Sequence, residues 1–292
     1  KRMLDIYTKT ARDLLAIPMI TGRKTEREKF AGAKETYTME ALMHDGKALQ
    51  SGTSHYFGQS FAKAFDIKFL TKENTWQYGF QTSWGISTRL LGAISMVHGD
   101  NNGLVLPPRL APVQVMIIPI QQHKEGVLEA AYGIQDQLKA SGIRVQVDAS
   151  DKSPGWKFSD AEMRGIPLRI EIGPKDIATK SCVVVKRNDG TKQSESLDAL
   201  SDIVPPLLET IHTEMYEKAV AFRDANIRQA SSYEEFKHIL DTRGGYIKMM
   251  WCGNEACEVK IKEETGATSR CIKDEDAFDD PCPICKEKAK QV

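Results

Sequence analysis

No apolar run in this 292-residue chain approaches the roughly 20 residues that cross a bilayer as a helix. Its opening residues, Lys1-Arg2-Met3-Leu4-Asp5, carry no secretory apolar segment. The expectation is a cytoplasmic protein with no membrane partner. Neither sign of charge is in excess: 40 Lys and Arg face 40 Asp and Glu. No global field therefore draws the chain to nucleic acid, and contact with RNA has to come from local patches. Internal repeats and low-complexity linkers are missing. Before position 252 the one cysteine is Cys182, inside an apolar strand-like run, which excludes a disulfide framework spread through the fold.

What is present suits a globular chain of two or three domains, with 41% apolar residues. It opens without Met inside an amphipathic helix, Leu4 to Leu15, with Ile6, Thr10, Ala11 and Leu14 on nearby faces, so a cut end is expected. An α+β region follows. Asp45-Gly46 predicts a two-residue type I′ hairpin between strands at 36–43 and 48–50. A helix is expected at 56–65, a strand at 76–83, a helix at 87–98 and a strand at 104–106. After Pro107-Pro108 and Pro112 the pattern becomes βαβ: strand 113–119, helix 124–140, strand 143–147, a short helix at 160–164, and strands at 168–172 and 182–186. A helical stretch from Leu197 to about Asn226 leads to the tail, with Pro205-Pro206 predicting a break or kink.

The tail holds five of the six cysteines. Cys252-x4-Cys257 and Cys282-x2-Cys285, with 24 residues between the pairs, fit a four-thiolate structural zinc site that closes a loop with little core of its own. Cys271 lies outside the paired spacing and is expected to be a non-ligand.

Several blocks are more specific. Lys24-Thr-Glu-Arg-Glu-Lys-Phe-Ala-Gly32, Gly46-Lys-Ala-Leu-Gln-Ser-Gly-Thr-Ser-His55 and Ser83-Trp-Gly-Ile-Ser-Thr-Arg89, running on to Gly103-Leu-Val-Leu-Pro-Pro-Arg109, resemble prolyl-tRNA synthetases of the archaeal and eukaryotic type. The last of these looks like class II motif 3. Ser153-Pro-Gly-Trp-Lys-Phe158, Gly165-Ile-Pro-Leu-Arg169 and Gly173-Pro-Lys-Asp176 continue the match into the cysteines. Motifs 1 and 2 of the family and its usual terminal tyrosine are not in this chain, which is therefore expected to hold only part of an active site.

The resemblance implies ligation of L-proline to tRNA(Pro) through a prolyl-adenylate, using ATP with Mg2+ and a structural Zn2+, by a homodimer in the full-length protein. Such chemistry rests on positioning and charge stabilisation, consistent with the lack of a visible nucleophilic triad. It implies three segments: 1–112, the C-terminal part of a class II antiparallel-sheet catalytic domain; 113–196, an α/β anticodon-binding domain; and 197–292, a helical and zinc-binding domain. Position by position, Arg89 matches the catalytic arginine of motif 3, and Gln50, Thr53, Thr88 and Arg89 match ATP-binding positions. Phe30, Thr53, His55, Ser83 and Trp84 match the proline pocket. Glu162 and Arg169 are expected to read anticodon bases, and Cys252, Cys257, Cys282 and Cys285 to hold the metal. With Ala41 opposite Gln50, as the two-residue turn would require, Glu40 points to the far face unless Ser51-Gly52 bulges, and it is left out. A noncatalytic synthetase-derived module that binds tRNA or scaffolds a complex is the alternative.

Overall fold

A computed structural model describes residues 1–292, the side chain of Asp274 excepted. Two compact units divide the chain, one of residues 1–11, 18–93 and 221–292, the other of residues 12–17 and 94–220. Helix α1 (Arg2–Leu15) opens the chain. Within the first unit its buried residues are Leu4 and Ala11, while Ile6 stays exposed.

In the first unit β1 (Ile20–Arg23), β2 (Glu35–Leu42), β3 (Ala48–Gly58) and, after a ribbon of β4 (Lys68–Leu70) and β5 (Trp76–Tyr78), β6 (Gln81–Ile86) make an antiparallel sheet in the order β1-β2-β3-β6. Two sequence expectations change here. Tyr56 to Gly58 extend β3, leaving α2 (Ser60–Ala64) as a single turn and a half of helix, and the strand expected over 76–83 is split at Gly79-Phe80. The hairpin turn also differs. A type I′ turn needs positive φ at both central residues, and in the loop only Gly46 has one, at 78°. The Met43 N–H instead bonds the Lys47 carbonyl at 2.9 Å, closing a three-residue loop.

That extra loop residue moves the register by one. Ala41 pairs with Leu49 and Glu40 with Gln50, so Glu40 lies on the face from which the sequence reading excluded it. A bulge follows: Met39 pairs with Gly52, and Ser51 is the additional residue. Its consequence is that Thr36, Thr38 and Glu40 share one face with their partners His55, Thr53 and Gln50. A Cβ on Gly52 would stand 2.7 Å from Met39 Cε and 2.9 Å from Ile86 Cγ2, so a larger residue beside the bulge would have to displace both side chains. Helix α3 (Arg89–His98) leaves the end of β6.

The second unit holds a mixed sheet in the order β11-β10-β9-β7-β8, from β7 (Val115–Pro119), β8 (Val145–Val147), β9 (Leu168–Ile172), β10 (Ser181–Lys186) and β11 (Lys192–Ser196). β8, β7 and β9 run parallel, joined by α4 (Val127–Ala140) and α5 (Pro154–Met163), and β10 and β11 are antiparallel additions. β7 and β9 are buried at every position, as strands covered on both faces must be. α5 is longer than the expected 160–164: Ser153 caps it by accepting from the Trp156 N–H, and Pro154 fills its first position. Residues 104–106 are extended but form no strand, bonding instead to the carbonyls of Met163 and Gly165. After α6 (Pro174–Ala178), the long α7 (Leu200–Ala225) continues without a break through Pro205-Pro206. The two missing N–H groups are offset by burial of Leu200, Val204, Leu208, Ile211 and Met215 in one core with Ile117, Leu168, Ile170 and Cys182.

The chain returns to the first unit with β12 (Ile227–Gln229), α8 (Tyr233–Thr242), a parallel partner β13 (Tyr246–Lys248) and α9 (Glu255–Thr265).

Candidate functional site

The pleat of the first sheet collects most of the expected residues. His55 pairs with Thr36 on one side and Ser83 on the other, and Thr53 lies between Thr38 and Gly85. These side chains share a face. His55 Nδ1 is 2.9 Å from Thr36 Oγ1 and Nε2 is 3.0 Å from Thr53 Oγ1, while the Phe30 N–H donates to Thr36 Oγ1 at 3.1 Å. Burial lowers the His55 pKa, favouring the neutral ring that donates through one nitrogen and accepts through the other. The Phe30 ring, half exposed, stands 5.0 Å from His55 and 5.8 Å from Phe57. A Cβ on Gly85 would meet nothing within 4 Å, so the floor beside Thr53 is open.

Arg89 begins α3, with Thr88 just before it, and its Nη1 donates to the Gln50 carbonyl at 3.0 Å. An exposed guanidinium and a helix N-terminus thus meet the Gln50 end of the face, an arrangement suited to an anion. Trp84 is the residue the structure does not bring to this group. It pairs with Ser54 and projects from the other face, where its ring lies 6.4 Å from Tyr7.

Glu40 is the residue that sequence reasoning missed. It is fully buried, and its Oε1 accepts from Lys24 Nζ at 3.0 Å and Thr38 Oγ1 at 2.7 Å. Oε2 has no partner among the described residues. Lys24 is itself 4% exposed, so both members of the ion pair are out of water. The block 24–32 supplied Lys24, but the pairing is set by register and needs the correct loop length.

In the second unit Glu162 of α5 and Arg169 of β9 meet at 3.1 Å, Arg169 also pairs with Glu171 at 3.0 Å, and its guanidinium carbon stands 4.4 Å above the Phe158 ring. They line a polar cavity of about 330 Å³ with Lys186, Arg187, Asn188 and Lys192. Asn188 Oδ1 is buried there without a partner among the described residues. A carboxylate, an amide and several cations around such a cavity offer hydrogen bonds to the edge of an unpaired base.

The sulfur atoms of Cys252, Cys257, Cys282 and Cys285 all lie within 4.8 Å of one another, with 3.7 Å between Cys252 and Cys257 and 3.6 Å between Cys252 and Cys285. Four thiolates about 2.3 Å from one zinc ion would stand about 3.8 Å apart, so the cluster fits that metal. Gly253, with φ 87°, turns the chain so that the Asn254 N–H points to Cys252 Sγ at 3.4 Å. Although burial pushes the Cys282 thiol up, backbone N–H groups around it bring it down to about 7. Cys271 lies outside the cluster.

Residues 114–206 match the family model described as an anticodon binding domain, and residues 233–292 the one described as prolyl-tRNA synthetase, C-terminal. A proline--tRNA ligase 2 of Bacillus cereus is 54% identical over 291 residues, covering 99% of this chain and 61% of the relative. The proline--tRNA ligase of Lachnoclostridium phytofermentans is 56% identical over 292 residues, covering 100% and 61%. Among solved structures, the prolyl-tRNA synthetase of Cryptosporidium parvum, complexed with L-proline and AMP, superposes with a TM-score of 0.93 at 37% identity, over 99% of this chain and 63% of that one. The chain spans about three fifths of the length of the relatives it matches.

Proposed function

Because the chain belongs to the prolyl-tRNA synthetase family, we propose that the whole protein joins L-proline to tRNA(Pro), first forming prolyl-adenylate from ATP. The observation that carries this reading is a single sheet face bearing Gln50, Thr53, His55 and Ser83, with Arg89 bonded to the Gln50 carbonyl. Phe30 and His55 offer the proline ring an aromatic wall with polar anchors, held in place by Thr36 and Thr53. Trp84, on the opposite face, is left out of that wall. Gln50, Thr53, Thr88 and Arg89 bind the nucleotide, Arg89 acting through a planar charge that follows the phosphoryl group into the transition state. Magnesium, bound with ATP, would screen the phosphate charge.

Glu162 and Arg169 read bases of the anticodon from the second unit. The four cysteines hold a structural zinc ion with no open coordination position. The functional segments we assign are 1–112, 113–196 and 197–292, and the full-length protein works as a homodimer in the cytoplasm. Proline-dependent ATP–pyrophosphate exchange by the full-length protein tests the reading. Replacing Arg89 by Ala lowers exchange at least about tenfold, which is about 1.4 kcal/mol of lost transition-state contact. Unchanged exchange in that variant would remove Arg89 from the site.

A further inference from the structure

Glu258 follows the cluster cysteine Cys257 on α9 and is 8% exposed, yet no cation pairs with it among the described residues. Its Oε1 accepts from Thr25 Oγ1 at 3.0 Å and from Ser269 Oγ, and its Oε2 is buried without a partner. A carboxylate taken out of water and met by two neutral hydroxyls is an expensive way to fill space, and an aliphatic side chain would pack there at lower cost. Its bonds give direction instead.

Thr25 is the start of the turn that carries Phe30. Its hydroxyl, while donating to Glu258, accepts from the Glu28 N–H at 3.2 Å, and its carbonyl accepts from the Lys29 N–H at 2.9 Å. Phe30 then donates its own N–H to Thr36 Oγ1, the hydroxyl that meets His55 Nδ1. Hydrogen bonds at Thr25 and Phe30, joined by the backbone of the turn between them, therefore link α9 to the aromatic wall. The two ends are held together a second time: Arg23 and Ile272 exchange backbone hydrogen bonds at 3.1 and 2.7 Å. That approach depends on Gly22, where a Cβ would stand 2.6 Å from Cys271 Cβ.

We infer that Glu258 is a positioning residue that fixes the Thr25–Phe30 turn, so that the cysteine-bearing C-terminal segment sets the shape of the proline side of the site. This rests on the proposed function for its kinetic readout but not for its structural one. In the full-length protein, Glu258→Ala and Thr25→Val each raise the proline KM about fivefold or more, leave the ATP KM within about twofold, and together do no more than either alone. Glu258→Gln, whose amide oxygen still accepts from both hydroxyls, stays within about twofold of the parent. Hydrogen exchange at the Glu28 and Lys29 amides rises at least about tenfold in Glu258→Ala and not in Glu258→Gln. A Glu258→Ala protein that loses thermal stability but keeps its proline KM and those amide protections overturns the inference, as do effects of the two single substitutions that multiply. Thr25→Val supplies the same readouts where Glu258→Ala does not fold. Absent proline-dependent exchange by the parent protein counts against the proposed function, and the amide protections then decide the inference alone.

Discussion

Replacing Lys24 by Met isolates the buried ion pair under the site. Lys24 and Glu40 are 4% and 0% exposed, and Lys24 Nζ is one of two donors to Glu40 Oε1, the other being Thr38 Oγ1. Without the ammonium, the carboxylate keeps one hydroxyl and has no route to solvent, since its second oxygen is already unpartnered. Breaking such a pair from one side costs about 3–5 kcal/mol, a large share of the 5–15 kcal/mol that holds a typical domain together. The loss is read as a lower urea midpoint and as faster amide exchange along β2 and β3. Adding Glu40→Met to Lys24→Met gives an apolar pair of similar volume, which recovers most of the stability. Two results would refute this reasoning: a Lys24→Met protein with unchanged midpoint and protection, or a double variant less stable than the single one.

Three further outcomes are expected. Burial pushes the pKa of His98, whose Nε2 donates to the Leu15 carbonyl at 2.8 Å, down to about 4 against an ordinary 6.5. The unfolded chain then binds the proton first, so this contribution is complete above about pH 6.5 and falls by about 3 kcal/mol as pH drops to 4; His98→Gln flattens the acid limb of a stability-against-pH curve. Purified protein carries a single zinc ion per chain by elemental analysis, and Cys257→Ser releases it to a chromogenic chelator at least about tenfold faster. Glu162→Gln, which keeps the shape of the cavity but removes the charge facing Arg169, weakens tRNA(Pro) binding about tenfold while proline-dependent exchange without tRNA is unchanged.

The features legible in the sequence are those whose chemistry is local. Paired cysteines announce themselves by spacing, and the four that were expected converge, with Cys271 outside. Arg169 closes the block that starts at Gly165, Glu162 lies between that block and the one ending at Phe158, and Arg89 lies at a helix start. What the sequence hid depends on counting. Whether Glu40 shares a face with Gln50 turns on one residue of loop, and whether it also shares one with Thr53 and His55 turns on one residue of bulge; each reverses the side of every side chain beyond it. Trp84 shows the same dependence, since its neighbour Ser83 is on the face of His55 and adjacency along a strand means opposite faces. The unbroken α7 had another cause: a helix that buries five large side chains in a core can forgo two N–H groups, a balance that the Pro-Pro pair does not reveal.

The hardest features to read were also the most buried. Lys24 and Thr25 are adjacent and polar, and on sequence alone they belong to a solvated loop beside Glu26 and Arg27. In the fold they are 4% and 3% exposed, and their side chains diverge to two buried carboxylates, Glu40 on β2 and Glu258 on α9. Burying two adjacent polar residues, each against a buried carboxylate from another element, costs free energy that a soluble loop would avoid. Sequence patterning misses this because hydrophobicity says which residues are inside only when they are apolar. The placement follows from geometry: β1 is an edge strand of the first sheet, and segment 270–273 crosses it at Arg23. Chain leaving β1 at that point is covered from one side by the sheet and from the other by α9, and its polar groups have to find partners in both. The residues that join the C-terminal segment to the site are thus the ones least visible as functional before the fold is known.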